Sequence, residues 1–339
     1  MKLFDELEQI AAKKLVDILS FLDVAELAGP AGHPNCGCDF TLAFGDTLLV
    51  CEVKAQLWPN QLPSVAHSLW EYCRKNTNLC VPVVISPSIS QRSSELCREL
   101  GINWADFAGN CHIQFGNILI HVEGKKGEQR AIRGTSSLYT PRASRIVHAL
   151  LLAPQRWWKV TDLVQQTQVS LGQVSNVRKL LVRHAFAEAG AAGIRLTEPR
   201  RLLLDWASNY PPKRVARRYY FLKKPSDLVR AVETNLSSYA LTEMAAADRY
   251  APYTRYQSVA FYVSEWQFGF EKALDLRPAE NTANVTIYED ANGLLFSERS
   301  GEVSLASPIL TYLDLTKLGG RGQDAADHLL ESSIVTRWS

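Results

Sequence analysis

Charge along this chain is partitioned, and the partition limits how its 339 residues can be divided into folded parts. Residues 1–124 carry 8 Lys/Arg against 14 Asp/Glu, residues 125–224 carry 20 against 5, and residues 225–339 carry 9 against 16. A formal net charge of +2 therefore conceals blocks of −6, +15 and −7. A single soluble domain interleaves its charges. A +15 strip between acidic flanks is the electrostatic footprint expected where a protein meets a polyanion, with phosphate backbone the leading candidate and a basic linker without a ligand the alternative. Two or three domains are expected at this length, and 46% hydrophobic residues suffice for buried cores.

No stretch reaches the ~18 consecutive apolar residues of a membrane span, and the N-terminal MKLFDELEQIAAKKLVDIL is amphipathic rather than a signal-peptide core. A cytoplasmic location with no membrane partner is expected. All seven cysteines, Cys36, Cys38, Cys51, Cys73, Cys80, Cys97 and Cys111, lie in the first third of the chain. Their odd number, without an export signal, argues against a disulfide framework. His33, Cys36 and Cys38 suggest a zinc knuckle, but the spacing matches no zinc pattern and a second ligand pair is missing.

The hydrophobic patterning predicts a mixed α/β chain. A helix over residues 3–21 is followed by a Gly/Pro-rich turn (Gly29 to Gly37), then by two β-rich runs joined at Gly45-Asp46, a hairpin signal. Helices over 63–75 and 91–100 flank a buried strand VPVVIS, and short strands INWADF, CHIQF and ILIHV close a first domain at residue 124. Residues 125–140 lack apolar anchors and read as a linker. A middle domain is expected over 141–205 and a last one over 206–339, with no internal repeat.

Within the hairpin, Asp39 lies near the start of one strand, and Glu52 and Lys54 lie near the end of the next. Residues two apart on a strand share a face, so Glu52 and Lys54 project together while Val53 points to a core. Two carboxylates there suit Mg²⁺, and the ammonium could position a water and stabilise charge on a phosphate. A strand-edge salt bridge between Glu52 and Lys54 is the plainer alternative. The order helix, Asp-bearing strand, Glu-x-Lys strand, helix resembles the PD-(D/E)XK (restriction-endonuclease-like) nuclease superfamily. That resemblance implies an α/β domain over 1–124 with Asp39, Glu52 and Lys54 as catalytic residues and Asp39 and Glu52 as metal ligands. Glu6 or Glu8 and Gln56 would be accessories, and Cys38 stands where the motif has proline.

Three helical patterns follow over 141–185. The first buries Ile146 and Leu150, the second runs from Val160 to Thr167, and the third starts after Ser170 and buries Val174, Val177, Leu180 and Leu181. This is helix-turn-helix spacing, and Phe186 to Thr197 reads as a two-stranded wing carrying Arg195. Gln173, Ser175, Asn176, Arg178, Lys179 and Arg183 are the candidate DNA-binding residues of the third helix, being of types that read base edges or hold phosphates. Arg195, Arg214, Arg217 and Arg218 extend the set. A helical bundle used for protein contact is the alternative. Trp157-Trp158 is read as packing rather than as a base-stacking platform.

In the last domain, YALTEMAAADRYAPY is expected to be a helix, SVAFYV and NVTIYE strands, and ASPILTYLDLTKLGGRGQDAADHLLES two helices separated by Gly319-Gly320-Arg321-Gly322. Arg321 could bind phosphate there or serve in capping. Tyr239-Ala240-Leu241-Thr242, Ser307 to Leu315 and Gly320 to Ala326 together resemble the AbiEi-type antitoxins of type IV toxin–antitoxin systems, and SPSISQRSSELCRELGINWADFAGNCHI is similar to larger relatives of that family. The resemblance implies a winged-helix transcriptional regulator or antitoxin of a toxin–antitoxin or phage-defence system. Its partners would be double-stranded DNA, a nucleotidyltransferase-like toxin encoded nearby and, in a homodimer, a second copy of the chain. Members of this type begin at the winged helix, so the front third is an addition, and a Mg²⁺-dependent DNA endonuclease targeted by the winged helix is the rival expectation.

Overall fold

The computed structural model describes residues 2–20, 38–76, 79–125, 135–210, 216–267, 269–279, 282–289, 297–300 and 303–338. The turn from Gly29 to Gly37, with His33 and Cys36, most of the linker, and Arg214 lie outside the described residues. The chain is mixed α/β, and its backbone gathers into two units: residues 1–134 with 180–185, and residues 135–179 with 186–339.

The first unit opens with α1 (Lys2–Leu19), whose Ala11, Leu15 and Leu19 recur every four residues and are fully buried. Strands β1 (Phe40–Phe44) and β2 (Thr47–Val53) form the expected hairpin, pairing Phe44 with Thr47 across a two-residue turn. Gly45 takes φ +54 there, a conformation that costs a residue with a Cβ. Helix α2 (Leu62–Lys75) has proline in its first turn, and β3 (Leu79–Ser86) follows. Helix α3 (Gln91–Glu99) is capped by Ser90, whose Oγ accepts from the Ser93 amide at 3.1 Å. Strands β4 (Asn103–Asp106), β5 (Cys111–Phe115) and β6 (Ile118–Val122) complete a six-stranded sheet in sequence order. Pairing is antiparallel for β1/β2, parallel for β2/β3 and β3/β4, and antiparallel from β4 to β6.

The two faces of this sheet have separate cores. Leu49, Cys51 and Val53 of β2 pack with α1, whereas Val50 joins Val84, Trp104 and the apolar sides of α2 and α3. The alternation places Glu52 on the α2 side and at the carboxyl end of its strand.

In the second unit a 3-10 turn (Thr135–Tyr139) leads into α4 (Pro141–Leu152), α5 (Val160–Thr167) and α6 (Leu171–Arg183). The last four residues of α6 group with the first unit. Strands β7 (Ala187–Gly190) and β8 (Gly193–Leu196) form an antiparallel ribbon, extended by an antiparallel bridge from Trp158 to Ile194. Val174 and Val177 are buried as expected, but Leu180 is only half-buried.

Helix α7 (Pro199–Asn209) and β9 (Ala216–Tyr220) were not anticipated. They are followed by α8 (Pro225–Asn235), β10 (Tyr239–Thr242), α9 (Glu243–Tyr250) and β11 (Val259–Val263). Then come α10 (Phe270–Ala273), β12 (Arg277–Pro278), β13 (Val285–Glu289), β14 (Ser297–Ser300) and β15 (Val303–Ala306), and finally α11 (Pro308–Leu315) and α12 (Arg321–Leu329). The strands form one mixed sheet in the order β12-β9-β13-β11-β10-β15-β14.

Two expectations are corrected here. Tyr239–Thr242 is a strand, because its backbone pairs with β11 on one side and β15 on the other and all four side chains are buried. The helix begins only at Glu243, whose φ of +52 breaks the extended run. Arg321 and Gly322 lie inside the first turn of α12 rather than in a loop, since Gly320 is its N-cap. Among the described residues no helix is long and apolar enough to cross a membrane.

Candidate functional site

The hairpin brings Asp39, Glu52 and Lys54 to one end of the first sheet. The Asp39 amide donates to the Cys51 carbonyl at 2.8 Å, and its Oδ2 accepts from the Val53 amide at 2.6 Å, so the side chain closes the strand end. Lys54 Nζ donates to Glu52 Oε1, and the Lys54 amide donates to the Ile85 carbonyl at 2.9 Å, tying the residue after β2 to β3. The Glu52 side chain is 15% exposed and that of Lys54 33%. Burial raises the Glu52 carboxyl above its ordinary range and the Asp39 charge adds to this, while the hydrogen bond from Lys54 opposes both.

A divalent cation fits this arrangement in its donor chemistry. Two hard carboxylates stand within electrostatic reach, and a cation would relieve their repulsion. The Oγ of Ser86, next to Ile85, is buried with no hydrogen-bond partner among the described residues. The set is small, however: among the described residues no group of three or more His, Cys, Asp or Glu side chains is placed to hold a metal. Glu6 is exposed on α1, and Gln56 is exposed after β2.

Helix α6 presents its candidates unevenly. Asn176 and Lys179 are exposed, whereas Gln173, Ser175 and Arg178 are half-buried. Arg183, at the end that groups with the first unit, holds its guanidinium 5.2 Å from the Trp58 ring centre. Arg195 of β8 pairs with Glu188 across the ribbon, Nε to Oε1 at 3.0 Å, and stacks over Trp157 at 4.9 Å. Trp158 is buried, as its packing role requires. Arg217 and Arg218 sit on β9, where Arg217 donates to Glu289 at 3.0 Å and Arg218 is exposed. Thus Asn176, Lys179 and Arg218 are exposed with no ion pair among the described residues, while Arg195 and Arg217 already hold carboxylates.

Sequence reasoning missed a buried polar cluster in the second unit. All eight residues of α11 are buried, including Asp314. Its carboxylate accepts from Thr242 Oγ1, from the Tyr262 hydroxyl at 2.8 Å and from the Tyr210 hydroxyl at 3.1 Å. Tyr288 donates to Glu243 at 2.6 Å beside it. Burial, reinforced by the Asp314 charge, pushes the Tyr210 and Tyr262 hydroxyls up. The available signal was the acid in PILTYLDL, because a charge on a helix buried all round must be paired. A second strut joins His148 of α4 to Ser307, the N-cap of α11, at 2.6 Å. Burial holds the His148 imidazole down at about 3. Asp314, Thr242, His148 and Ser307 are buried, so they act as supports.

Residues 195–335 match a family model described as transcriptional regulator, AbiEi antitoxin, type IV toxin–antitoxin system. The match runs from the last strand of the ribbon through α12, and so contains every member of the Asp314 cluster but none of the helices α4 to α6. No curated protein and no solved structure matches the chain.

Proposed function

We propose that the chain is a DNA-binding transcriptional regulator acting as the antitoxin of a type IV toxin–antitoxin or phage-defence system. The family match over residues 195–335 carries this reading. The order of three helices and a ribbon, with Trp158 bridged to Ile194, supports a winged helix over 141–205. The exposed Asn176 and Lys179 on its third helix and the +15 middle block support double-stranded DNA as its ligand. A cognate toxin of nucleotidyltransferase type would be its protein partner, and a homodimer would match a palindromic operator. The test is a gel-shift titration on the DNA upstream of its own gene. Affinity should fall with salt at a log-log slope of about −0.9 per neutralised phosphate, and a flat response would sink the proposal.

One observation favours a second activity, the gathering of Asp39, Glu52 and Lys54 at the end of β2. In this reading the first unit is a PD-(D/E)XK-type nuclease domain. Asp39 and Glu52 would hold Mg²⁺, which supplies charge neutralisation at the phosphate. Lys54 would orient the attacking water, and the Asp39 bond to the Val53 amide keeps the two strand ends in register. Cleavage should require Mg²⁺ or Mn²⁺, fail in Ca²⁺, and vanish in both Glu52→Ala and Lys54→Ala while DNA binding survives. Cleavage by Lys54→Ala at the wild-type rate would remove these residues from the chemistry.

A further inference from the structure

Strands β5 and β6 place two histidines side by side at the far edge of the first sheet. His112 and His121 are registered partners in the antiparallel ladder, and their Nδ1 atoms stand 3.3 Å apart. The rings meet at 75° with centroids 5.3 Å apart, so they are not stacked. His121 Nε2 lies 3.7 Å from Glu123 Oε1, and that carboxylate is anchored by Arg98 of α3 at 2.9 Å. A carboxylate beside Nε2 favours the tautomer with its proton there, which leaves the His121 Nδ1 lone pair facing His112. His112 Nδ1 then supplies the single proton between the rings.

We propose that His112 and His121 form a bis-imidazole site for a borderline divalent ion such as Zn²⁺, both ligating through Nδ1. Two nitrogens bound at ~2.05 Å to a tetrahedral ion stand about 3.3 Å apart, which is the separation present. The ion takes the place of the shared proton: solvent removes the proton from His112 Nδ1 and returns one to its Nε2, so both imidazoles stay neutral, and two N–metal bonds replace two of the ion's water ligands. Each lone pair tilts by about 35° off the N···N line to point at a tetrahedral ion. Glu123 plays the outer-shell part, holding the His121 ring from its far nitrogen, as carboxylates do behind metal-bound imidazoles. Solvent supplies the remaining ligands, because His121 is exposed. The Asp39–Glu52 pair offers only oxygen and suits hard ions, so the two sites differ in metal preference, and this inference stands apart from the DNA reading.

The test is Zn²⁺ titration of the full chain by calorimetry, with Co²⁺ absorption as the geometric probe. In excess Mg²⁺, added to compete at the carboxylate pair, one Zn²⁺ should bind per chain, with affinity falling tenfold or more in His112→Ala and in His121→Ala and staying unchanged in Glu71→Ala on the exposed side of α2. Nitrogen-15 spectra of the wild-type chain should show the Nδ1 signals of both histidines moving together on Zn²⁺ addition, a readout that needs no variant to fold. Absence of Zn²⁺ binding, undiminished binding in either histidine variant, or loss of the ion in Cys38→Ser would overturn the site.

Discussion

Gly193 shows how a single position can be dictated by its neighbours. Its φ is +126, and a Cβ built there would lie 2.1 Å from the Trp158 carbonyl oxygen and 2.6 Å from its carbon. That close approach lets Trp158 and Ile194 exchange backbone hydrogen bonds at 2.8 and 2.9 Å. Gly193→Ala should therefore cost about 2 kcal/mol or more, read as a lowered midpoint in thermal unfolding, and an unchanged midpoint would contradict the packing. Glu52 carries a different kind of constraint. A carboxyl whose folded pKa is raised stabilises the fold most below its unfolded value and loses that contribution as pH rises through the folded value. Glu52→Gln should be the more stable protein at neutral pH, by a margin that grows as pH rises through the acid range. A lower melting temperature for the variant at pH 7 would mean that the Lys54 ion pair outweighs burial.

At the scale of elements, α6 is divided between its faces. Val174 and Val177 anchor one side, and Asn176 and Lys179 stand free of the protein on the other. Asn176→Ala should erode discrimination between operator and unrelated DNA by about 1–3 kcal/mol, whereas Lys179→Ala should weaken all sequences alike and reduce the salt slope by about one. Competition gel shifts at two salt concentrations separate the outcomes; equal losses on both DNAs for Asn176→Ala would remove it from base reading. Arg195 and Arg217 are expected to contribute less than their charge suggests, because each must leave Glu188 or Glu289 to reach a phosphate.

Across a whole unit, the struts from α11 give the molecule a pH response. His148 and Ser307 are 159 residues apart in sequence, and the imidazole is enclosed in its neutral form. With the His148 value lowered to about 3, the unfolded chain binds a proton at higher pH than the folded one. Stability is then fully present above the ordinary histidine range and declines by about 1.4 kcal/mol per pH unit as pH falls from 6.5 toward 3. Denaturant unfolding of wild type and His148→Gln across that window should show the steeper acid loss in the wild type. Parallel pH profiles would exclude His148 as the source.

How much of this was legible in the sequence depended on whether the signal was local. The hairpin at Gly45-Asp46, the span of α5 and the facing of Val53 away from Glu52 follow from turn chemistry and strand alternation, which operate over a few residues. The charge blocks and the candidate residues on α6 were equally plain, since composition and helical period need no long-range partner. Tyr239–Thr242 was misread because its helix-forming neighbours outweigh four residues, and only pairing with β11 and β15 makes them a strand. The same holds for the pairing of His112 with His121, the arginines already held by glutamates, and the three hydroxyls that converge on Asp314. The Asp314 contacts and the Arg217–Glu289 pair join segments 52 to 104 residues apart, while His112–His121 and Arg195–Glu188 cross short hairpins. All of them exist only once backbone hydrogen bonding and burial have fixed the register that brings the partners together.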